Sequence, residues 1–130
     1  MKLKVFLLIL MFISNIFASD FDIKNLTQDE IETLKEIKIQ GQKHGLSYSL
    51  MAIAIKESSL GKYLVNVDTK DYGLYQAHLK TVIDRENVQD NSWNRNKFAM
   101  KLISDFKFAT KNAIDELVYW QKIHKNDWSK

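Results

Sequence analysis

Apolar positions along the chain recur mostly at helical spacing. Thr27-Gln28-Asp29-Glu30 has the form of a capping box, in which the Thr27 hydroxyl accepts from a backbone N–H and Glu30 reaches back. Ile31, Leu34 and Lys38 continue that helix, and Gly45 stands where a helix-ending glycine is expected. Ser47 opens a second helix through the apolar stretch 49–57, with Gly61 marking its end. Over 62–76 the helical period disappears. Asn66, Asp68, Asp71 and Gly73 are turn formers there, while Leu64, Val65 and Val67 suit a short strand or irregular hairpin. Helical patterning returns over 78–85, from about 96 to 103, and over 107–124. On that last helix Ala113, Leu117, Trp120 and His124 share one face, which makes Trp120 a core position. The pattern therefore predicts one mostly α domain with a short irregular or β insertion after its second helix.

The beginning of the chain follows a different rule. Lys2 and Lys4 form a basic start, 5–13 is an unbroken apolar run, and small residues stand at Ala18 and Ser19. A membrane-crossing helix needs about 20 apolar residues, and this run is shorter. Residues 1–19 are expected to be a secretory signal peptide cut near Ala18 or Ser19, leaving 20–130 as the mature domain. No stable membrane span is expected after cleavage, and the destination is periplasmic or secreted. Removing the leader changes Lys plus Arg against Asp plus Glu from 19 against 16 to 17 against 16. So small a charge does not suit a nucleic-acid partner. With no cysteine, neither a disulfide nor a thiolate metal site can hold the fold. His44, His78 and His124 are too scattered for a metal site, and four dispersed glycines form no phosphate loop. No metal and no cofactor are expected.

Candidate chemistry begins on the second helix. Leu50, Ile53, Ala54 and Glu57 fall at i, i+3, i+4 and i+7, so a carboxyl ends an apolar stripe. Water-poor surroundings disfavour the charged form of such a group. A carboxylic acid still protonated near neutral pH can donate to a leaving oxygen, as glycosidic cleavage requires.

The flanking residues sharpen that reading. Glu57-Ser58-Ser59-Leu60-Gly61 is followed by Asp71-Tyr72-Gly73-Leu74-Tyr75-Gln76. The first segment, with its apolar helix, resembles the Glu-Ser signature of the soluble lytic transglycosylases. The second resembles their Gly-Leu-Met-Gln motif, with Tyr75 where Met is common. The likeness covers roughly 45–82 well and the later helices more loosely. It implies a lysozyme-like fold that acts on peptidoglycan glycan strands. Glu57 would first protonate the oxygen between N-acetylmuramic acid and N-acetylglucosamine. It would then act as base while the muramic 6-hydroxyl closes onto its own anomeric carbon, giving a 1,6-anhydro product. By the same match Ser58, Gly73, Tyr75 and Gln76 would form the substrate-binding set, with Ser58 beside the acid and Gly73 open to a sugar's close approach.

Two features keep other readings open. Asp-Tyr-Gly-Leu-x-Gln also resembles the animal-type lysozyme segment that carries a second carboxylate. Asp71 is thus a candidate partner of Glu57 in a hydrolytic muramidase, or a residue bonded to its own turn backbone. The family's Tyr-Asn-x-Gly segment, whose tyrosine lies over the acid, would begin about where this chain reaches Asn126-Asp127-Trp128-Ser129-Lys130. A domain lacking that wall would orient substrate less well. It is then expected to be completed by a partner protein or to be a degenerate peptidoglycan binder. A helical structural protein unrelated to glycans leaves the paired motifs unexplained. Trp93, Trp120 and Trp128 offer faces for sugar stacking, and the lysines of 122–125 read as a solvated face. Protein recovered from the periplasm is expected to begin near residue 19, as read by N-terminal sequencing; a chain still starting at Met1 would refute cleavage.

Overall fold

The structure is a computed structural model that describes residues 21–124. The expected leader and the terminal 126–130 stretch lie outside the described residues. Helix α1 (Gln28–Gln42) starts on the anticipated capping box. Thr27 Oγ1 accepts from Glu30 N–H at 3.2 Å, and Glu30 Oε2 accepts from Thr27 N–H at 2.8 Å. It ends on a Schellman pairing, with Leu46 N–H to Gly41 O and Gly45 N–H to Gln42 O. Gly45 takes the left-handed conformation this pairing needs, at φ +66°. The turn folds α2 (Ser47–Ser58) back against α1, close enough that a Cβ on Gly41 would lie 2.8 Å from Ser47 Cα.

Along α2 the buried row is Leu50, Ala54 and Ser58. The row therefore ends on Ser58, not on Glu57 as the apolar stripe predicted, because i, i+4, i+8 is the line that faces α1 and the core. The helix stops where Ser59, Leu60 and Gly61 adopt φ of 50°, 57° and 96° in succession. Two of these are not glycine, a conformation that costs each about 1 kcal/mol or more. Burial of the Leu60 side chain and bonds from Leu60 and Gly61 N–H to Ala54 O and Ser58 O offset that cost.

The insertion then forms three antiparallel strands: β1 (Val65–Asn66), β2 (Asp71–Tyr72) and β3 (Ala77–His78), ordered β1-β2-β3. Asn66 pairs with Asp71, and Asp71 in turn faces His78. Three helices complete the domain: α3 (Leu79–Arg85), α4 (Ser92–Ser104) and α5 (Phe106–His124). Helix α4 starts earlier than its apolar pattern suggests, because Asn91 Oδ1 accepts from Asn94 N–H at 2.9 Å and caps it. The fold is mostly α with a small inserted sheet, as the pattern predicts. No helix among the described residues is long and apolar enough to cross a membrane.

Among the described residues two apolar clusters form the core. One joins Ile37, Leu46, Leu50 and Ala54 to Leu74, Tyr75 and Ile114 of α5. The other packs Leu79, Val82 and Ile83 of α3 on Phe98 and Leu102 of α4. Helix α5 buries mainly its first half, Ala109 to Ile114. Trp120 lies beyond that covered stretch and is 41% exposed, so the expected core position is not one.

Gly73 marks the point where the insertion meets α4. A Cβ there would lie 2.2 Å from Leu102 O, and the residue holds φ +85°. Both constraints exclude a side chain. Gly73→Ala is expected to lose at least about 2 kcal/mol of stability, measured by urea unfolding.

Candidate functional site

The two segments singled out in the sequence are joined through one buried hydroxyl. Ser58 has no solvent exposure, and its Oγ lies 2.7 Å from Leu74 O and 3.1 Å from Ala54 O. The same oxygen accepts from Gly61 N–H at 2.9 Å. The end of α2 is thereby tied to the turn carrying Leu74, Tyr75 and Gln76. Tyr75 points inward, its hydroxyl 3.1 Å from Thr110 Oγ1 of α5. Burial pushes the Tyr75 phenol up to about 12, against a smaller opposing effect of the Thr110 bond. Gln76 is left-handed at φ 48°, and its Nε2 donates to Gly73 O at 2.9 Å and Tyr63 O at 3.1 Å.

Above this turn lies an open pocket of about 250 Å³ between α2, β3, α3 and α5. Its apolar lining comes from Ile53, Ala77, Val82, Ala113 and Leu117, with the Tyr75 ring. Gln76, His78, Thr81, Arg85, Asn112 and Glu116 supply the polar lining. Glu57 follows Ile53 by one helical turn on the same side of α2, so it stands beside the pocket rather than inside it. Glu57 is exposed; the water-poor setting expected for this carboxyl is not supplied by the apolar row of its own helix.

The other sequence-derived candidates fall into two groups. Tyr75 and Gln76 line the pocket. Ser58 and Gly73 are buried, the first beneath the turn and the second against Leu102, so packing alone accounts for the glycine at 73. Asp71 is not bonded to its own turn. Its Oδ1 lies 3.0 Å from His78 Nδ1, because the strand register sets the two residues opposite each other. The turn role falls to Asn66, whose Oδ1 accepts from Thr69 N–H at 3.3 Å.

Sequence reasoning missed the opposite wall. The Arg85 guanidinium reaches the side chains of both Asn112 and Glu116. Glu116 Oε1 also accepts from Trp120 Nε1 at 2.6 Å, and the Trp120 ring stacks on His124 with centroids 5.5 Å apart. The spacing of Asn112, Glu116 and Trp120 on one helix face was a local signal. Their partner Arg85 lies 27 and 31 positions away and gave none.

No protein-family model, curated protein or solved structure matches this chain.

The Tyr75 phenol supplies a test of the buried turn. Its folded-state value of about 12 lies above its ordinary value of 10.0. The raised value means that this group favours the fold fully below about pH 10 and loses that contribution as pH rises towards 12. Wild-type stability should therefore fall across that window more steeply than that of Tyr75→Phe, as compared by urea midpoints at each pH.

Proposed function

We propose that this protein is a periplasmic lytic transglycosylase that cleaves peptidoglycan glycan strands. The observation that carries the reading is the Ser58–Leu74 bond, which ties the end of α2 that bears Glu57 to the turn that carries Gln76, a residue of the pocket lining. The two motifs resembling those of the soluble lytic transglycosylases are thus tied together in space by residues 16 positions apart in the chain. The mostly α fold with a small sheet directly after the acid-bearing helix supports a lysozyme-like arrangement.

In this reading the Glu57 carboxyl gives its proton to the glycosidic oxygen as the bond from that oxygen to the muramic anomeric carbon breaks. The resulting carboxylate takes the proton of the muramic 6-hydroxyl, whose oxygen bonds to the anomeric carbon. No water is consumed. Glu57 begins exposed, so the glycan itself must exclude water from it, as a sugar lying across the rim of the pocket would do. The contact of Asp71 Oδ1 with His78 gives that carboxylate a role other than partner to Glu57, which supports the one-carboxylate chemistry.

Glu57→Gln keeps the shape of the side chain but has no proton of suitable acidity to give. Muropeptide release from purified sacculi should fall by at least about a hundredfold, with unfolding unchanged. Products of the unmodified protein should carry anhydro ends, and Asp71→Asn should reduce their yield only modestly. Mass spectrometry of the digests decides among the readings. Reducing ends lost on Asp71→Asn would make the protein a muramidase, and binding without release would make it a wall-binding relative.

A further inference from the structure

Helix α4 carries a second surface that takes no part in the pocket, whose lining includes none of its residues. Its inner row, Phe98 and Leu102, packs on α3 and leaves the opposite side to solvent. On that side Trp93, Lys97, Met100 and Ser104 fall at i, i+4, i+7 and i+11, forming one stripe along the helix. All four are exposed, Trp93 by 78% and Met100 by 61%. Tryptophan is seldom left so bare. The helix holds three basic residues, Arg95, Lys97 and Lys101, and no acidic one. Arg95, two positions from Trp93 and so on another side of the helix, is paired with Asp90. Among the described residues no ion pair includes Lys97, Lys101 or Lys107, the last of these exposed at the start of α5. The Lys97 ammonium lies 5.4 Å from the centre of the Phe98 ring, and that of Lys101 4.6 Å from the centre of the Phe108 ring. Asp105, the acid that follows the helix, accepts through Oδ1 from Phe108 N–H at 3.0 Å.

Uncompensated positive charge beside bare apolar side chains fits a partner that is anionic and can also take up apolar groups. A protein partner needs roughly 800 Å² of surface on each side with a close-packed centre, more than one stripe of four side chains offers. A soluble polyanion would answer the lysines but leave Trp93 and Met100 without a role. A bilayer surface meets both demands. Indole rings are favoured at headgroup depth, and apolar side chains enter there without a matching cavity. Lysine stems lie along apolar surface while their ammonium groups reach anionic headgroups. We propose that the outer face of α4 is a docking surface for an anionic lipid bilayer. Trp93 and Met100 enter the interface, and Lys97 and Lys101 meet the headgroups. The inference rests on α4 alone and stands whether or not the protein cleaves glycans.

The test is co-sedimentation with sucrose-loaded vesicles of residues 20–130, which include the whole described fold and omit the apolar run 5–13. Vesicles of phosphatidylcholine and phosphatidylglycerol in equal parts should bind at least about tenfold more tightly at low salt than vesicles of phosphatidylcholine alone. Lys97→Gln combined with Lys101→Gln should weaken that binding about 25-fold, since each lysine near an anionic surface contributes about fivefold. Lys35→Gln combined with Lys38→Gln makes the same charge change at exposed positions of α1 and should leave binding unchanged. Trp93→Ser and Met100→Ser, at positions with little packing to lose, should each weaken it about fivefold. Equal affinity for neutral and anionic vesicles, no binding to either, or an equal loss from the α1 pair would overturn the proposal. Binding indifferent to both Trp93→Ser and Met100→Ser would overturn it as well. Capture by soluble polyphosphate as tight as by the anionic vesicles would make the face a polyanion site and sink the lipid assignment.

Discussion

The hydroxyl of Ser58 lies at the junction on which the site depends. It is wholly enclosed, with Leu74 O at 2.7 Å and Ala54 O at 3.1 Å, and it receives the N–H of Gly61. One side chain therefore closes the C-terminal turn of α2 and grips the carbonyl from which Tyr75 and Gln76 depart. A buried polar group left without its partner typically costs about 1–3 kcal/mol. Any rearrangement that separates the two segments leaves several such groups unpaired at once. The unusual left-handed run Ser59-Leu60-Gly61 persists for the same reason: it brings Gly61 N–H to Ser58 and the Leu60 side chain into the core.

The small sheet could not stand without that support. Each of its strands has only two residues, and so short a ladder is marginal by itself in water. Its stability is borrowed from the helices around it. Gly73 packs its bare backbone on Leu102, Gly73 N–H bonds to Leu64 O, and Leu79 N–H bonds to Lys70 O as α3 begins. The strand register then does chemical work, because it sets Asp71 opposite His78 and turns that ring towards the pocket.

On the far side, a polar contact joins α3 to α5 at the pocket wall. Arg85, Asn112 and Glu116 meet at the pocket wall, partly shielded, and each satisfies another. Pairs of this kind contribute little net stability when desolvation is included, yet they fix where charge and donors point. The Trp120 indole, exposed but tethered by its N–H, extends the same wall along α5.

Much of this was legible in the residues themselves. The capping box at Thr27, the Schellman glycine at 45, the break near Gly61 and the long last helix all depend on contacts within a few positions, which local chemistry dictates. Local pattern failed where a distant partner decided the outcome. The apolar stripe of α2 pointed to Glu57, but packing on α1 rotated the buried row to Ser58. Trp120 fell on an apolar face, but the covered part of α5 ends near Ile114. Asp71 had the composition of a turn residue, but strand register gave it to His78. Gly73 could be glycine for a ligand or for a neighbour, and only the approach of Leu102 shows that a neighbour suffices. Above all, the Arg85–Glu116 pair joins positions 31 apart whose meeting depends on how α3 crosses α5. Sequence by itself determined which segments become helices and, for most of them, roughly where they lie. Tertiary packing alone decided which of their side chains are brought together, because burial and charge compensation are properties of pairs of elements and not of either one.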